Sequence, residues 1–291
     1  MDMNTIFYKS SQNMSEVSDC SVDLIITSPP YFNIKDYSKD GYQNVKHSAV
    51  AGRGGGGDLG SLTDYKTYIK ELLKVWRECE RVLKPNGKLC INVPLMPIFK
   101  RDLNTHYNRH IFDLQSDIQH SILESTPLFL LDLYIWNRTN TTKKLMFGSY
   151  PYLRNFYAQN TSEFITIYVK DGKPQNTPQE LKEQSKLSQK EWVQFTKQIW
   201  DIPIPNKADS AFGKHAAIMP EIIPYRLIKL YSFIGDIVLD PFAGSGTTLK
   251  VAKELGRNFI GYEIYPHYKS VIEEKLGESG LFAMQGQGNA Q

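Results

Sequence analysis

An α/β fold on a largely parallel sheet is what this sequence predicts, and three observations carry the prediction. VDLII at 22–26 is an apolar run of strand length. A helix-periodic stretch follows it, and KLCINV at 88–93 then reads as a second strand. Strand, crossover helix and strand in that order build a parallel pair. Near the other end DIVLDPFAGSGTTLKVAKELG reads as strand, glycine turn and helix, with NFIGYEIY at 258–265 as the next strand. A chain of 291 residues with 41% hydrophobic content suffices for one large domain carrying an insertion.

Taken in chain order, the N-terminus MDMNTIFYKS lacks a basic stretch followed by an apolar one, which argues against export and for a cytoplasmic protein. VDLII runs into TSPPY at 27–31, and a Pro-Pro pair cannot continue a ladder, so the strand stops there. AGRGGGG at 51–57 has the composition of a mobile loop. From about Thr63, Tyr65, Tyr68, Ile69, Leu72, Leu73, Val75, Trp76, Cys79, Val82 and Leu83 recur every three or four residues, which predicts a helix with Trp76 on its core face. KPNG at 84–87 stops that helix. LFLLDLYIW at 128–136 and EFITIYVK at 163–170 read as strands, the first far too short to span a bilayer.

Between about 171 and 200 the composition shifts to Gln, Lys, Ser and Thr. Within it TPQE and SQKE each set a Thr or Ser three residues before a Glu, predicting two short capped helices. Residues 215–232 read as helical beyond Pro220, and the Gly/Ser/Gln-rich end from 277 reads as an unstructured tail. The expected organisation is a domain in two halves, 1–170 and 211–276, with an insertion at 171–210 and a tail at 277–291. A net charge of +3 is too small to diagnose a partner. Locally, however, Arg138, Lys143, Lys144 and Arg154 lie among Tyr150, Tyr152, Phe156 and Tyr157 with no acidic residue between 138 and 157. Basic residues interleaved with aromatics suit a nucleic-acid backbone and its bases, and equally a solvated basic face beside an aromatic cluster. Cys20, Cys79 and Cys90 lack metal-ligand spacing, so neither zinc nor a disulfide is expected, and the thiols are read as reduced and packed as small hydrophobes.

The glycine turn after VLD puts backbone amides and a positive helix end at the C-terminal edge of a strand, where open α/β sheets bind cofactors. Glu263, about 20 residues beyond the first glycine, ends the next strand, as a ribose-binding carboxylate requires. Asp240 ahead of the glycines would repel a pyrophosphate but suits an ammonium and a sulfonium. That favours S-adenosylmethionine over NAD.

TSPPY in the N-terminal half and DPFAGSGTT near the C-terminus together resemble the β-class amino-group DNA methyltransferases of restriction-modification systems. The resemblance covers roughly 5–275, supported by LGSLTDYKTYIKELLKVWRECERVLKPNGKLCINV and HAAIMPEIIPYRLIKLYS. It implies a Rossmann-like methyltransferase sheet in permuted motif order, and the lysine-bearing insertion is read as a small target-recognition region or, equally, as a dimer contact. It further implies that Asp240, Pro241, Phe242, Ala243, Gly244, Ser245, Gly246, Thr247 and Thr248 cradle S-adenosylmethionine and that Glu263 holds its ribose. Thr27, Leu59 and Gly60 border the cofactor, and the segment around His215 reaches its methionine end. Where relatives carry a Gly-Asp pair for the adenine, this chain has YKSSQNM, so Ser10 or Ser11 takes that contact. Tyr265 also departs from the small or acidic residue usual after Glu263 and Ile264.

By the same resemblance Ser28, Pro29, Pro30 and Tyr31 are catalytic. An exocyclic amino nitrogen is a poor nucleophile because its lone pair is delocalised into the ring. Acceptors that draw its hydrogens out of plane make it attack. The Pro29 carbonyl and Ser28 Oγ are such acceptors, and Tyr31 stacks on a base flipped out of duplex DNA. The glycine loop with Arg53 is read either as closing over that base or as a surface loop of no catalytic importance, and Arg138, Lys143, Lys144 and Arg154 are read as DNA contacts. Within the family SPPY leans toward cytosine N4, with adenine N6 as the alternative; RNA or protein amide methylation, or a non-enzymatic nucleotide-binding module, are the other readings. A cognate restriction endonuclease and a homodimer are implied by resemblance alone.

Overall fold

The computed structural model describes residues 2–32, 58–99, 106, 109–141, 151–154, 158–205, 209, 211–212, 214 and 218–277. The glycine run with Arg53, the residues Lys143, Lys144 and His215, and the tail from 278 lie outside the described residues.

The strands and helices in chain order are β1 (Thr5–Phe7), β2 (Val22–Thr27), α1 (Tyr65–Val82), β3 (Leu83–Pro94), β4 (Met96–Phe99), β5 (Arg109–Phe112), α2 (Leu114–Ser125), β6 (Leu128–Arg138) and β7 (Ser162–Lys170). There follow α3 (Gln179–Ser185), α4 (Gln189–Phe195), β8 (Ile199–Ile202), α5 (Ile222–Tyr231), β9 (Ile237–Asp240), α6 (Thr247–Glu254), β10 (Asn258–Tyr262) and α7 (Lys269–Gly277). Eight strands form one sheet in the order β1-β10-β9-β2-β3-β7-β6-β8, and β4 pairs with β5 as a separate ribbon. Among the described strands of the large sheet only β7 runs against its neighbours. The parallel sheet expected from the βαβ unit is therefore mixed at its β7 position.

Helix α1 buries Tyr68, Leu72, Val75, Trp76, Cys79 and Val82, the stripe read from the spacing, against Ile25, Leu89 and Ile91 on one face of the sheet. Asp64 caps its start by accepting from Thr67 N at 2.7 Å. On the other face Ile223, Leu227 and Ile228 of α5 and Leu249, Val251 and Ala252 of α6 cover Leu24, Ile26, Ile165 and Val238. Both faces are covered, which is why β2 and β3 read as continuous apolar runs rather than alternating ones.

Several expectations need correction. Helix α1 ends at Val82, ahead of KPNG, and β3 starts at Leu83 instead of Lys88. Leu83 is already extended (φ −65°, ψ 133°) and pairs with Val22, while Asn86 takes a left-handed φ of 66°. Both helices of the 171–200 region form, and Ser188 and Glu191 make the expected reciprocal cap of α4. Pro178, not Thr177, occupies the cap position of α3 and makes no side-chain bond, since proline has no acceptor to offer. Cys79 and Cys90 are buried, but Cys20 is exposed in a turn at φ 49° ahead of β2. Among the described residues no helix is long and apolar enough to cross a membrane.

The 171–200 region docks on α5. Glu191 pairs with Lys229, Ser185 Oγ accepts from Ile234 N at 3.0 Å, and the Arg226 guanidinium lies 5.4 Å from the Phe195 ring and 5.1 Å from that of Trp200. Such cation–π contacts gain strength when desolvated.

Candidate active site

β2 and β9 are adjacent and parallel, so the two motifs, distant in sequence, finish at one edge of the sheet. There Thr27 Oγ1 donates to Asp240 Oδ1 at 2.8 Å, across 213 residues of chain. A cavity of about 500 Å³ opens above this junction, within the range of small-molecule sites.

Asp240, Pro241, Phe242, Ala243, Gly244, Ser245, Thr247, Thr248 and Glu263 line one part of it, with Ser10 and Ser11 beside them. Ser28, Pro29, Pro30, Tyr31 and Leu59 form the next part. Thr27, Gly60 and Gly246 support the lining without being part of it. Gly246 caps α6 at φ 82°, and a Cβ there would meet Ile272 Cγ2 at 2.9 Å, so only glycine lets the turn approach α7. A Cβ on Gly60 would lie 3.2 Å from Pro30 Cβ and 3.3 Å from the Tyr31 carbonyl oxygen, so this residue lets the short helical turn Leu59–Ser61 press on the Ser-Pro-Pro-Tyr segment.

Two carboxylates stand out electrostatically. Glu263 accepts from Gly244 N at 2.9 Å and from Tyr265 N at 2.8 Å, yet burial pushes its pKa up from 4.5 to about 7. Asp240 accepts from Phe242 N at 3.0 Å as well as from Thr27, and burial raises it from 3.8 to about 6. Each retains acceptor capacity beyond these bonds. Buried carboxylates at a cavity floor are suited to a ligand that brings hydroxyl donors and positive charge.

The Ser-Pro-Pro-Tyr turn is anchored from two sides. Ser28 Oγ donates to the Asn92 carbonyl at 2.9 Å, which commits its hydrogen and leaves its lone pairs as acceptors. Tyr68, fully buried on α1, donates its hydroxyl to the Pro30 carbonyl at 2.8 Å. Phe32 packs on Tyr68 with ring centroids 5.4 Å apart and on Tyr65 at 5.3 Å, which holds the residue after the turn in the core.

Some lining residues were not singled out by sequence reasoning. Asn92, Glu163, Trp136 and Asp58 line the cavity, and the sequence marks Asn92, Glu163 and Trp136 only as strand positions. Their signal is a polar residue near one end of an otherwise apolar strand run: Glu163 opens EFITIYVK and Asn92 stands next to last in KLCINV. Tyr265, noted as a departure, donates its hydroxyl to Asp58 Oδ2 at 2.8 Å, while Asp58 Oδ1 accepts from Gly60 N at 2.9 Å. The unusual tyrosine thus ties the end of β10 to the turn bearing Leu59.

Arg138 lies in the cavity wall, donating to Glu163 Oε1 and to the Thr161 carbonyl, both at 3.3 Å, and to the Asn160 carbonyl. Arg154 is exposed at φ 79°. No residue of the 171–200 region lines the cavity. Of the described residues around His215, Phe212, Ile218 and Met219 do.

The family model described as DNA methylase, covering N6 and N4 methyltransferases, matches residues 22–274. The chain is 33% identical to Type II methyltransferase M.MjaI of Methanocaldococcus jannaschii over 94% of this chain and 90% of that one. It is 31% identical to Type II methyltransferase M.MthZI of Methanothermobacter thermautotrophicus over 94% of this chain and 76% of that one. Among solved structures, the putative DNA modification methylase TTHA0409 of Thermus thermophilus, in complex with S-adenosyl-L-methionine, superposes with a TM-score of 0.71 at 28% identity, covering 94% of this chain and 93% of that one. The cytosine-N4-specific PvuII DNA methyltransferase shares the fold, with a TM-score of 0.65 at 14% identity over 98% of this chain and 90% of that one. A matching family model over most of the chain, and a cavity in which the Ser-Pro-Pro-Tyr turn faces the glycine turn, lead to one statement: the chain belongs to the DNA methylase family of amino-group (N6 or N4) DNA methyltransferases.

Proposed function

We propose that this DNA methyltransferase transfers a methyl group from S-adenosylmethionine to the N4 amino group of cytosine in duplex DNA. The observation that carries the reading is Ser28, whose hydroxyl hydrogen is spent on the Asn92 carbonyl at 2.9 Å, leaving Oγ as an acceptor at the cavity. Because Pro30 turns its own carbonyl to Tyr68, and a residue before proline is held extended, the Pro29 carbonyl is the backbone acceptor left for the substrate.

The residues present fit the cofactor that TTHA0409 binds. Asp240 and Glu263 provide buried acceptors for cationic and hydroxyl groups, and Ser10 and Ser11 border the same part of the cavity. When bound, S-adenosylmethionine supplies a methyl group made electrophilic by its sulfonium. Ser28 Oγ and the Pro29 carbonyl accept the two amino hydrogens of the base, pull them from the ring plane and so return the lone pair to nitrogen. Tyr31 stacks on the base, which has left the duplex because its amino group is otherwise paired. No side-chain base is required, since the N-methylated product is acidic enough to release its extra proton to water.

The serine-headed turn is what favours cytosine, by resemblance within the family. The 171–210 segment is proposed as target-recognition region and Arg154 as a phosphate contact. Replacing Lys173, Lys182, Lys186, Lys190 and Lys197 by glutamine is expected to alter the set of methylated sites, and an unchanged set removes that assignment. The natural role proposed is protection of host DNA from a cognate restriction endonuclease, as the Type II names of its relatives imply for them.

The turn's anchoring yields a further expected result. Tyr68→Phe keeps the buried ring and loses one hydrogen bond, so turnover falls about tenfold while cofactor affinity stays within about twofold. Steady-state kinetics beside calorimetric cofactor titration checks it, and a parallel loss of both would mean a general structural defect.

The functional reading itself is tested by incubating the protein with methyl-labelled S-adenosylmethionine and mixed-sequence duplex DNA, then identifying the labelled nucleoside by mass spectrometry. N4-methylcytosine is expected. N6-methyladenine would overturn the base, and no labelled nucleoside would overturn the DNA substrate.

A further inference from the structure

The part of the cavity lined by the glycine turn and the part lined by Ser-Pro-Pro-Tyr are joined a second time, apart from the Thr27–Asp240 bond, at Tyr265. This residue lies between β10 and the one-turn helix Pro266–Tyr268, and each of its polar groups is engaged. Its N–H donates to Glu263 Oε1 at 2.8 Å, its carbonyl accepts from Tyr268 N at 3.1 Å, and its hydroxyl donates to Asp58 Oδ2 at 2.8 Å. The ring is flanked by those of His267 and Tyr268, with centroids 5.3 Å and 6.4 Å away.

Asp58 passes the contact on. It is 8% exposed and lines the cavity, and its other oxygen, Oδ1, accepts from Gly60 N at 2.9 Å while its carbonyl accepts from Ser61 Oγ at 2.8 Å. The residue thereby caps the turn Leu59–Ser61. That turn has no slack on its far side, where a Cβ on Gly60 would crowd both Pro30 Cβ and the Tyr31 carbonyl oxygen. One path of direct contacts therefore runs from Glu263 through Tyr265, Asp58 and Gly60 to Pro30 and Tyr31. Its middle links are hydrogen bonds to a carboxylate, which are stronger than those between neutral groups.

Resting on the functional reading above, we infer that Tyr265 is a positioning residue for methyl transfer: through Asp58 it sets the Leu59–Ser61 turn against Pro30 and Tyr31, and so aligns the base with the cofactor held at Glu263. The attacking nitrogen must lie in line with the sulfonium methyl, and a small misplacement costs far more in rate than in binding. The Tyr265 hydroxyl is spent on Asp58, so its part is to fix the spacing of the two ligands. A small or acidic residue at this position could not span the gap from the end of β10 to Asp58 in this way.

The test is a double-mutant cycle on the rate of methyl transfer. The methylated site is mapped by sequencing treated plasmid DNA and made as a short duplex. Single-turnover rates with saturating S-adenosylmethionine and duplex are measured for the full-length protein, Tyr265→Phe, Asp58→Ala, the double variant and Asp58→Asn, beside cofactor affinity and thermal melting. Tyr265→Phe keeps the ring and the backbone bonds and deletes only the hydroxyl. Asp58→Asn keeps both links, because Oδ1 still accepts from Gly60 N while Nδ2 donates to the Tyr265 hydroxyl oxygen. Hydrogen exchange of segments 28–32 and 58–62 is followed in the natural protein and in Tyr265→Phe, a readout that needs no DNA.

Tyr265→Phe is expected to slow transfer about tenfold with cofactor affinity held within about twofold. The double variant should be no slower than Asp58→Ala, because both changes cut one path, and Asp58→Asn should recover most of what Asp58→Ala loses. A merely structural bond predicts a lower melting temperature at the natural rate, and that result overturns the assignment. Losses that multiply in the double variant, or a fall in cofactor affinity as large as the fall in rate, overturn it as well. Should Asp58→Ala fail to fold, an Asp58→Asn protein as slow as Tyr265→Phe overturns it instead. Exchange in Tyr265→Phe should quicken in both segments, and a change confined to 58–62 would show that the tie does not reach the Ser-Pro-Pro-Tyr turn. Absence of any methylated site on the plasmid would count against the functional reading, and exchange would still decide the tie.

Discussion

Ser28→Ala is expected to lower the methyl-transfer rate by about 10²-fold, the size of effect seen when one preorganised polar partner of a transition state is removed. The physical reason lies in the timing of the charge. The base nitrogen carries little charge when bound but becomes cationic as it attacks, so an acceptor on its hydrogen is worth most in the transition state. Ser28 Oγ meets that need because its hydrogen is already fixed on the Asn92 carbonyl at 2.9 Å, and nothing reorganises when the substrate arrives. The alanine variant should keep its affinity for S-adenosylmethionine within about twofold, because Ser28 is separated from Asp240 by the Thr27 hydroxyl. Single-turnover kinetics with saturating cofactor measures the effect. A variant that turns over at the natural rate would remove Ser28 from the chemistry and leave the Pro29 carbonyl to carry it.

The second large effect is on cofactor affinity as a function of pH. Burial holds Glu263 near 7 and Asp240 near 6 without ligand. Both values lie above the ordinary ones of 4.5 and 3.8, so their contribution to stability is fully present below about pH 4 and is lost as pH rises through 6 to 7. The ligand-free protein should therefore become less stable across that window. Binding a cation with hydroxyl donors has the opposite sign. It favours the ionised carboxylates, so affinity for S-adenosylmethionine should rise about tenfold between pH 6 and 8 with release of protons. Calorimetry in buffers of different ionisation enthalpy reads the proton count directly. Glu263→Gln should flatten the profile and weaken binding at pH 8, since an amide cannot gain the charge. A profile equally steep in that variant would assign the titration elsewhere.

The two motifs were legible because each is local. A proline pair that ends an apolar strand, and a glycine turn leading into a helix, are decided by neighbours in the chain. The amphipathic helix of residues 65–82 was equally clear, its spacing of Tyr68, Leu72, Val75, Trp76 and Cys79 needing no partner to be seen. The edges of elements were less legible. Leu83 continues the helical apolar pattern yet turns into a strand because β2 offers it a ladder partner at Val22. Strand β8 and the short β1 went unread for the same reason: three or four residues carry too little periodicity, and pairing with β6 and β10 makes them strands.

By itself, then, the sequence determined the α/β class, the Ser-Pro-Pro-Tyr turn, the glycine turn and the carboxylate that follows it. Tertiary structure alone decided that β2 and β9 are neighbours, bringing Thr27 against Asp240 from opposite ends of the chain. It also decided that β7 runs antiparallel beside β3, and this reversal brings Glu163 to Asn92 and Arg138 to Glu163. The physical reason is that a hydrogen bond between distant strands depends on sheet order and register. Periodicity reports only which face of an element is apolar and never which element lies beside it.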